Sequence, residues 1–199
     1  MLAAMASVNE LRRHVFDDAL DLAACAGLVA PLVNLPMGTG MAVSVDPVGF
    51  IRRQFTLQMV LLVVRMHEQP REGQTGTTAS IQALLDAAAL EGRVSQEFRD
   101  AYVNVLERMR ADYENHGGNF RELRSFRHAE LAHSIHRHEQ PLDRLLLNPL
   151  WDFAHETFDL VASLERQLDQ SGLDPMVLKN RFDLWRDEGS AFWTVVLAQ

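Results

Sequence analysis

Between Phe120 and His138 the chain reads FRELRSFRHAELAHSIHRH, which holds four of its eight histidines together with Arg121, Arg124, Arg127 and Arg137. Histidine titrates near neutrality, so one imidazole can accept a proton and later return it, or ligate a metal. Arginine carries a permanent planar charge whose forked donors match the oxygens of phosphates and carboxylates. With two acids, Glu122 and Glu130, the segment is +2 before any histidine is protonated. The chain as a whole is -8, so the remainder carries -10.

Spacing decides which of these groups can cooperate. On a helix Arg124 and His128 lie one turn apart on one face, as do His133 and Arg137. Arg127 and His133 are six residues apart, about 240° around the axis and about 9 Å along it. They cannot meet head-on along one straight helix, so either the helix bends or a two-fold partner brings its own pair. Zinc is the other chemistry that His128, His133, His136 and His138 suggest. Only His133 and His136 have ligand spacing, and neither an HExxH pattern nor a nearby cysteine completes a set. The ordinary alternative for the whole segment is a solvated basic face in which pairs such as Arg127 and Glu130 contribute little.

The elements that would hold this segment are all helical. Capping residues followed by proline at Asp46-Pro47, Asn148-Pro149 and Asp174-Pro175 mark three helix starts. The pattern predicts helices over Val8–Val29, Pro47–His67, a short ASIQALLDAAAL helix stopped by Gly92, Ser95–Asp112, Phe120–Arg137, Pro149–Leu168 and Pro175–Asp187. FTLQMVLLVV is apolar nearly all round and is expected to be the central helix. Asp17, Asp18 and Asp21 are expected on the exposed side of the first helix, and His67 is expected to meet the C-terminal dipole of the second as a cation. The expected architecture is an all-α, up-and-down bundle over residues 1–170, with residues 171–199 packed on it as a helix and an apolar tail, SAFWTVVLAQ, that docks in extended form or meets a partner.

Composition narrows the class. At 199 residues and 47% hydrophobic the chain suits one folded domain. An acidic balance excludes a protein that coats nucleic acid with its whole surface. The longest apolar run, Met59–Val64, is far short of the roughly 20 residues that span a bilayer. One cysteine, Cys25, on an apolar face and no secretory pattern at the N-terminus lead to the expectation of a cytoplasmic protein without a membrane anchor.

The string RHAELAH, from Arg127 to His133, resembles the signature of the HEPN superfamily: an arginine, a polar residue, a short spacer and a histidine. The wider LRSFRHAELAHS resembles the core of the U-type abortive-infection proteins within it. Upstream, LQMVLLVVRMHEQPREGQTGTTASIQALLDAA is similar to that family's apolar helix ending in an arginine and an acid, and NPLWDFAHETFDLVASLERQL to its closing helix; the likeness spans residues 8 to 170. Two positions depart from the pattern: Ala129 stands where a lysine is common, and Ser134 where an acid is. The resemblance implies a helical homodimer with a shared Arg/His cleft, acting without a metal or other cofactor as an endoribonuclease in phage defence or as a toxin with a cognate antitoxin. It places proton transfer on His133, phosphate and transition-state stabilisation on Arg127, support on His128, and RNA-phosphate contacts on Arg124, Arg121 and Arg137. A catalytically silent dimer that binds RNA, a nucleotide or a protein through the same cleft is the alternative, and the two departures suit it. A scaffold acting through Trp185, Phe192 and Trp193 is a third reading, for which core packing is the ordinary explanation.

Overall fold

The structure, a computed structural model, describes residues 7–32, 47–69, 79–133, 147–168 and 176–197. Among the described residues there are seven α-helices, a single 3-10 turn at Ala30–Leu32 and no strand. The helices are α1 (Val8–Val29), α2 (Pro47–Met66), α3 (Ile81–Leu90), α4 (Gln96–Asn115), α5 (Phe120–His133), α6 (Leu147–Leu168) and α7 (Met176–Leu197). The fold is an all-α helical bundle.

Serines open three of them. The Ser7 hydroxyl accepts from the Glu10 N–H while the Glu10 carboxylate accepts from the Ser7 N–H at 2.9 Å, a reciprocal capping box. Ser80 and Ser95 accept from Ala83 and Phe98 in the same way. The turn into α5 depends on two glycines. Gly117 has φ of +88°, and a Cβ on Gly118 would fall 2.3 Å from the Tyr113 ring. Asn119 then caps α5 by accepting from the Glu122 N–H at 3.0 Å.

The helix at the centre is α1, not the expected α2. It packs against α2, α3, α6 and α7. Its small buried residues Ala19, Ala23, Ala26 and Gly27 let neighbours approach closely, which a search for the most apolar segment overlooks. Met59 to Val64 of α2 is buried apart from half-buried Leu61, and α2 touches α1, α5 and α6. Asp18 is also not on an exposed face: it is buried and ion-paired with Arg65 of α2. Burial pushes its carboxyl pKa up, against the pull of Arg65. A second buried pair joins α1 to α6, with Arg12 Nη2 2.7 Å from Glu165 Oε2.

At the C-terminal end, α7 continues as helix through Leu197, past the expected end at Asp187, so the tail is not extended. The physical reason is the crossing with α1. Gly189 abuts Leu28, where a Cβ would stand 3.1 Å from the Leu28 Cα, and a Cβ on Gly27 would stand 2.6 Å from the Phe182 carbonyl oxygen. Trp193, 2% exposed, then seats its Nε1–H on the Leu28 carbonyl at 2.9 Å. Phe192 stays exposed and Trp185 half-exposed. The sixth helix starts at Leu147, which puts Pro149 inside its first turn, where the missing N–H costs nothing.

Candidate functional site

Helix α5 packs on α2 and α4. Its anchors are Leu123, fully buried, and Phe120, half-buried and edge-on to Phe153 at 6.0 Å. One turn beyond Leu123 the same face carries Arg127 over the C-terminal end of α2. There Arg127 Nη1 lies 2.5 Å from Glu68 Oε2, with the two side chains 20% and 15% exposed. A charge-assisted bond at this burial fixes the guanidinium while leaving other donors of its fork uncommitted. Arg124 is half-buried and forms no ion pair with a described residue, and Arg121 is exposed.

The residue before Glu68 overturns an expectation. His67 is 1% exposed, enclosed by Phe153 at 4.7 Å and Phe120 at 6.1 Å. Its Nε2 lies 2.9 Å from the Thr157 hydroxyl, and that hydroxyl donates its one proton to the Phe153 carbonyl at 2.6 Å. Nε2 must therefore be the donor, which leaves Nδ1 as a bare lone pair, and Nδ1 has no partner in the described structure. Burial, assisted by the charge of Arg110, pushes the imidazole pKa down to about 3. His67 is neutral, and the cation at the end of α2 is Arg110 from α4, whose Nη2 donates to the His67 carbonyl at 2.6 Å.

The backbone of α5 is helical without interruption from Phe120 to His133, so Arg127, His128 and His133 lie along one element. The side chains of His128 and His133 lie outside the described part of the structure, as do Arg137, His136 and His138 entirely. Among the sequence-predicted residues, Arg121, Arg124 and Arg127 are therefore the ones whose side chains can be placed. Compared with family models, curated proteins and solved structures, the chain matches none of them. Among the described residues no group of three His, Cys, Asp or Glu is arranged to hold a metal ion. No described helix is long and apolar enough to cross a membrane.

Of the other flagged groups, Cys25 is buried and its thiol is pushed up to about 12 by burial. Tyr113 is buried and stacked on Phe153 at 4.9 Å, its hydroxyl pushed up to about 12 by burial, so it is a core aromatic. Tyr102 bonds the Ser163 hydroxyl at 3.1 Å. His155 packs beside Trp151, Phe158 and Phe182. Glu68 and Arg110 are the site residues that the sequence did not single out as partners. The one available signal was the position of Glu68 directly after an apolar helix, three residues past Arg65.

Proposed function

We propose that the Arg/His face of α5 is the active site of a metal-independent endoribonuclease of the HEPN type. The observation that carries this is the guanidinium of Arg127, the first residue of RHAELAH, held in place by Glu68 at 2.5 Å. An arginine fixed before substrate arrives supplies charge without reorganisation as the phosphorane forms. His133 takes the proton of a ribose 2′-hydroxyl, whose oxygen attacks the adjacent phosphorus; the P–O5′ bond breaks, and the leaving oxygen takes a proton from an imidazolium. The products are a 2′,3′-cyclic phosphate and a 5′-hydroxyl. His128 supports the site, and Arg124, Arg121 and Arg137 draw in RNA phosphates. Because the Arg127 and His133 positions lie about 120° apart around an unbroken helix and about 9 Å apart along it, two chains related by a two-fold axis supply two composite sites, each with Arg127 of one chain and His133 of the other. Phage defence or toxicity held in check by an antitoxin in the cytoplasm is the corresponding cellular role.

A second reading has its own support. Glu68 neutralises Arg127, and a neutralised arginine suits a silent dimer that binds RNA without cutting it. Incubation of mixed RNA in EDTA separates the two. The nuclease reading expects cleavage by the wild type and none by Arg127→Ala or His133→Ala. Binding without cleavage by the wild type selects the silent dimer, and equal cleavage by all three proteins removes the site from α5.

A further inference from the structure

The strongest feature outside the Arg127 and Glu68 pair is the neighbourhood of Phe120, which Arg110 reaches from α4 and whose helical face Arg124 shares. On α5, Phe120 and Arg124 are separated by one turn and share a face. From α4, the Arg110 guanidinium sits over the Phe120 ring, 5.5 Å from its centroid. Arg110 is placed at Phe120 by ring contact and Arg124 by helix spacing. Arg110 Nη2 is engaged by the His67 carbonyl, while its Nε is buried without a hydrogen-bond partner in the described structure. Buried donors in native proteins are nearly always satisfied, so an open one is a feature to be explained. Arg124 has no carboxylate partner among the described residues, and the acid acting on Arg110 is Glu107, one turn earlier on α4 and exposed. Burial holds the Arg110 pKa below the usual arginine range; Glu107 opposes this and the like charge of Arg124 adds to it, so Arg124 lies within electrostatic reach of Arg110.

We infer that Arg110 and Arg124 form a phosphate-binding subsite across α4 and α5, which takes a backbone phosphodiester of a single-stranded nucleic acid beside the Arg127 position. Arg124 is three residues, nearly one turn, before Arg127, so a strand laid along α5 places one phosphate on the pair and a neighbouring phosphate at Arg127. Arg110 enters this site from a helix outside the Arg/His segment. The inference rests on the reading of α5 as a phosphate-directed face, but it does not require that the face cut anything. Glu68 offsets the charge of Arg127, so the pair adds to the attraction that Arg121 supplies on the same helix.

The test uses a labelled single-stranded oligodeoxynucleotide, which keeps the phosphates and lacks the 2′-hydroxyl needed for cleavage. Its affinity for the full chain is followed by fluorescence anisotropy across a salt series. Each lost phosphate contact lowers the slope of log affinity against log salt by about 0.7 for single strands. Arg124→Ala is expected to lower the slope by about that amount, Arg110→Gln likewise, and Lys179→Ala, exposed on α7 away from α5, not at all. Arg110 also caps α2, so circular dichroism melts must show Arg124→Ala folded as the wild type is, and Arg110→Lys is expected to recover most of the slope. Unchanged slopes in Arg124→Ala and Arg110→Gln, or no binding of the oligonucleotide by the wild type, overturn the inference. Arg124-dependent binding by a protein that never cleaves RNA upholds it while the nuclease reading falls.

Discussion

Protonating His67 would place a charge among Phe120, Phe153 and the buried Thr157, on a nitrogen with no acceptor nearby. The folded chain resists it, with a pKa pushed down to about 3 from 6.5. In the unfolded chain the imidazole titrates normally and binds the extra proton first. Stability therefore rises with pH across that interval and is lost as pH falls from about 6.5 toward 3, by up to about 1.4 kcal/mol per pH unit. His67→Gln keeps an amide donor for Thr157 and removes the titration. Urea melts from pH 7 to pH 4 are expected to show a shallower acid loss for His67→Gln than for the wild type. The comparison cancels the carboxylates common to both proteins. Equal acid slopes would mean that the imidazole is solvated and that the α2, α4 and α5 junction is looser than its geometry. The same junction holds Glu68 and Arg110, so His67 links the stability of the core to the seating of Arg127.

Helix α7 joins the bundle through backbone contact with α1, and the two glycines there set a sign test. In an exposed helix, glycine to alanine stabilises by about 0.5–1 kcal/mol because it restricts the unfolded chain. At Gly27 the added Cβ meets the Phe182 carbonyl at 2.6 Å and the Arg186 nitrogen at 2.9 Å, both backbone atoms that cannot rotate aside. Gly27→Ala is expected to cost about 1–3 kcal/mol, and Gly189→Ala less, since its nearest contact is 3.1 Å. Stabilisation by Gly27→Ala in a urea melt would dislodge α7 from α1. The Arg12–Glu165 pair pins α1 to α6 from the other side; removing Glu165 as alanine takes away this buried charge-assisted bond and is expected to cost about 1–3 kcal/mol by the same measurement. The stop at Gly92 and the start at Ser95 were readable because those residues act on their immediate neighbours, whereas the end of α7 at Leu197 was set by its crossing with α1. The central place of α1 was not, because small residues signal closeness only once a partner is known. Likewise Arg127 could be named from its string, but its pairing with Glu68, 59 residues earlier in the chain, is set by how α2 and α5 pack. The burial of Asp18 and His67 was missed for the same reason: each belongs to a tertiary junction, and local patterning favoured an exposed face or a helix end.

A single chain carries the Arg127 and His133 positions on one unbroken helix, about 120° apart around it and about 9 Å apart along it, so the proposed nuclease makes its demand on the assembly rather than on any residue. The exposed apolar residues of α7, such as Leu184 and Val195, do not meet that demand, because α7 packs on α1 and α6 while α5 packs on α2 and α4. The productive two-fold contact must involve α5 itself. Complementation between inactive chains tests this directly. Mixed and allowed to exchange subunits, Arg127→Ala and His133→Ala chains form heterodimers in which one composite site is dead twice over and the other is intact. Half the dimers are mixed and each has one of two sites restored, so RNA cleavage is expected to recover to roughly a quarter of the wild-type rate. Each variant alone stays silent. Recovery requires that Arg127 of one chain act with His133 of the other, whereas two inactive chains whose mixture stays inactive after exchange is demonstrated would return both groups to a single subunit.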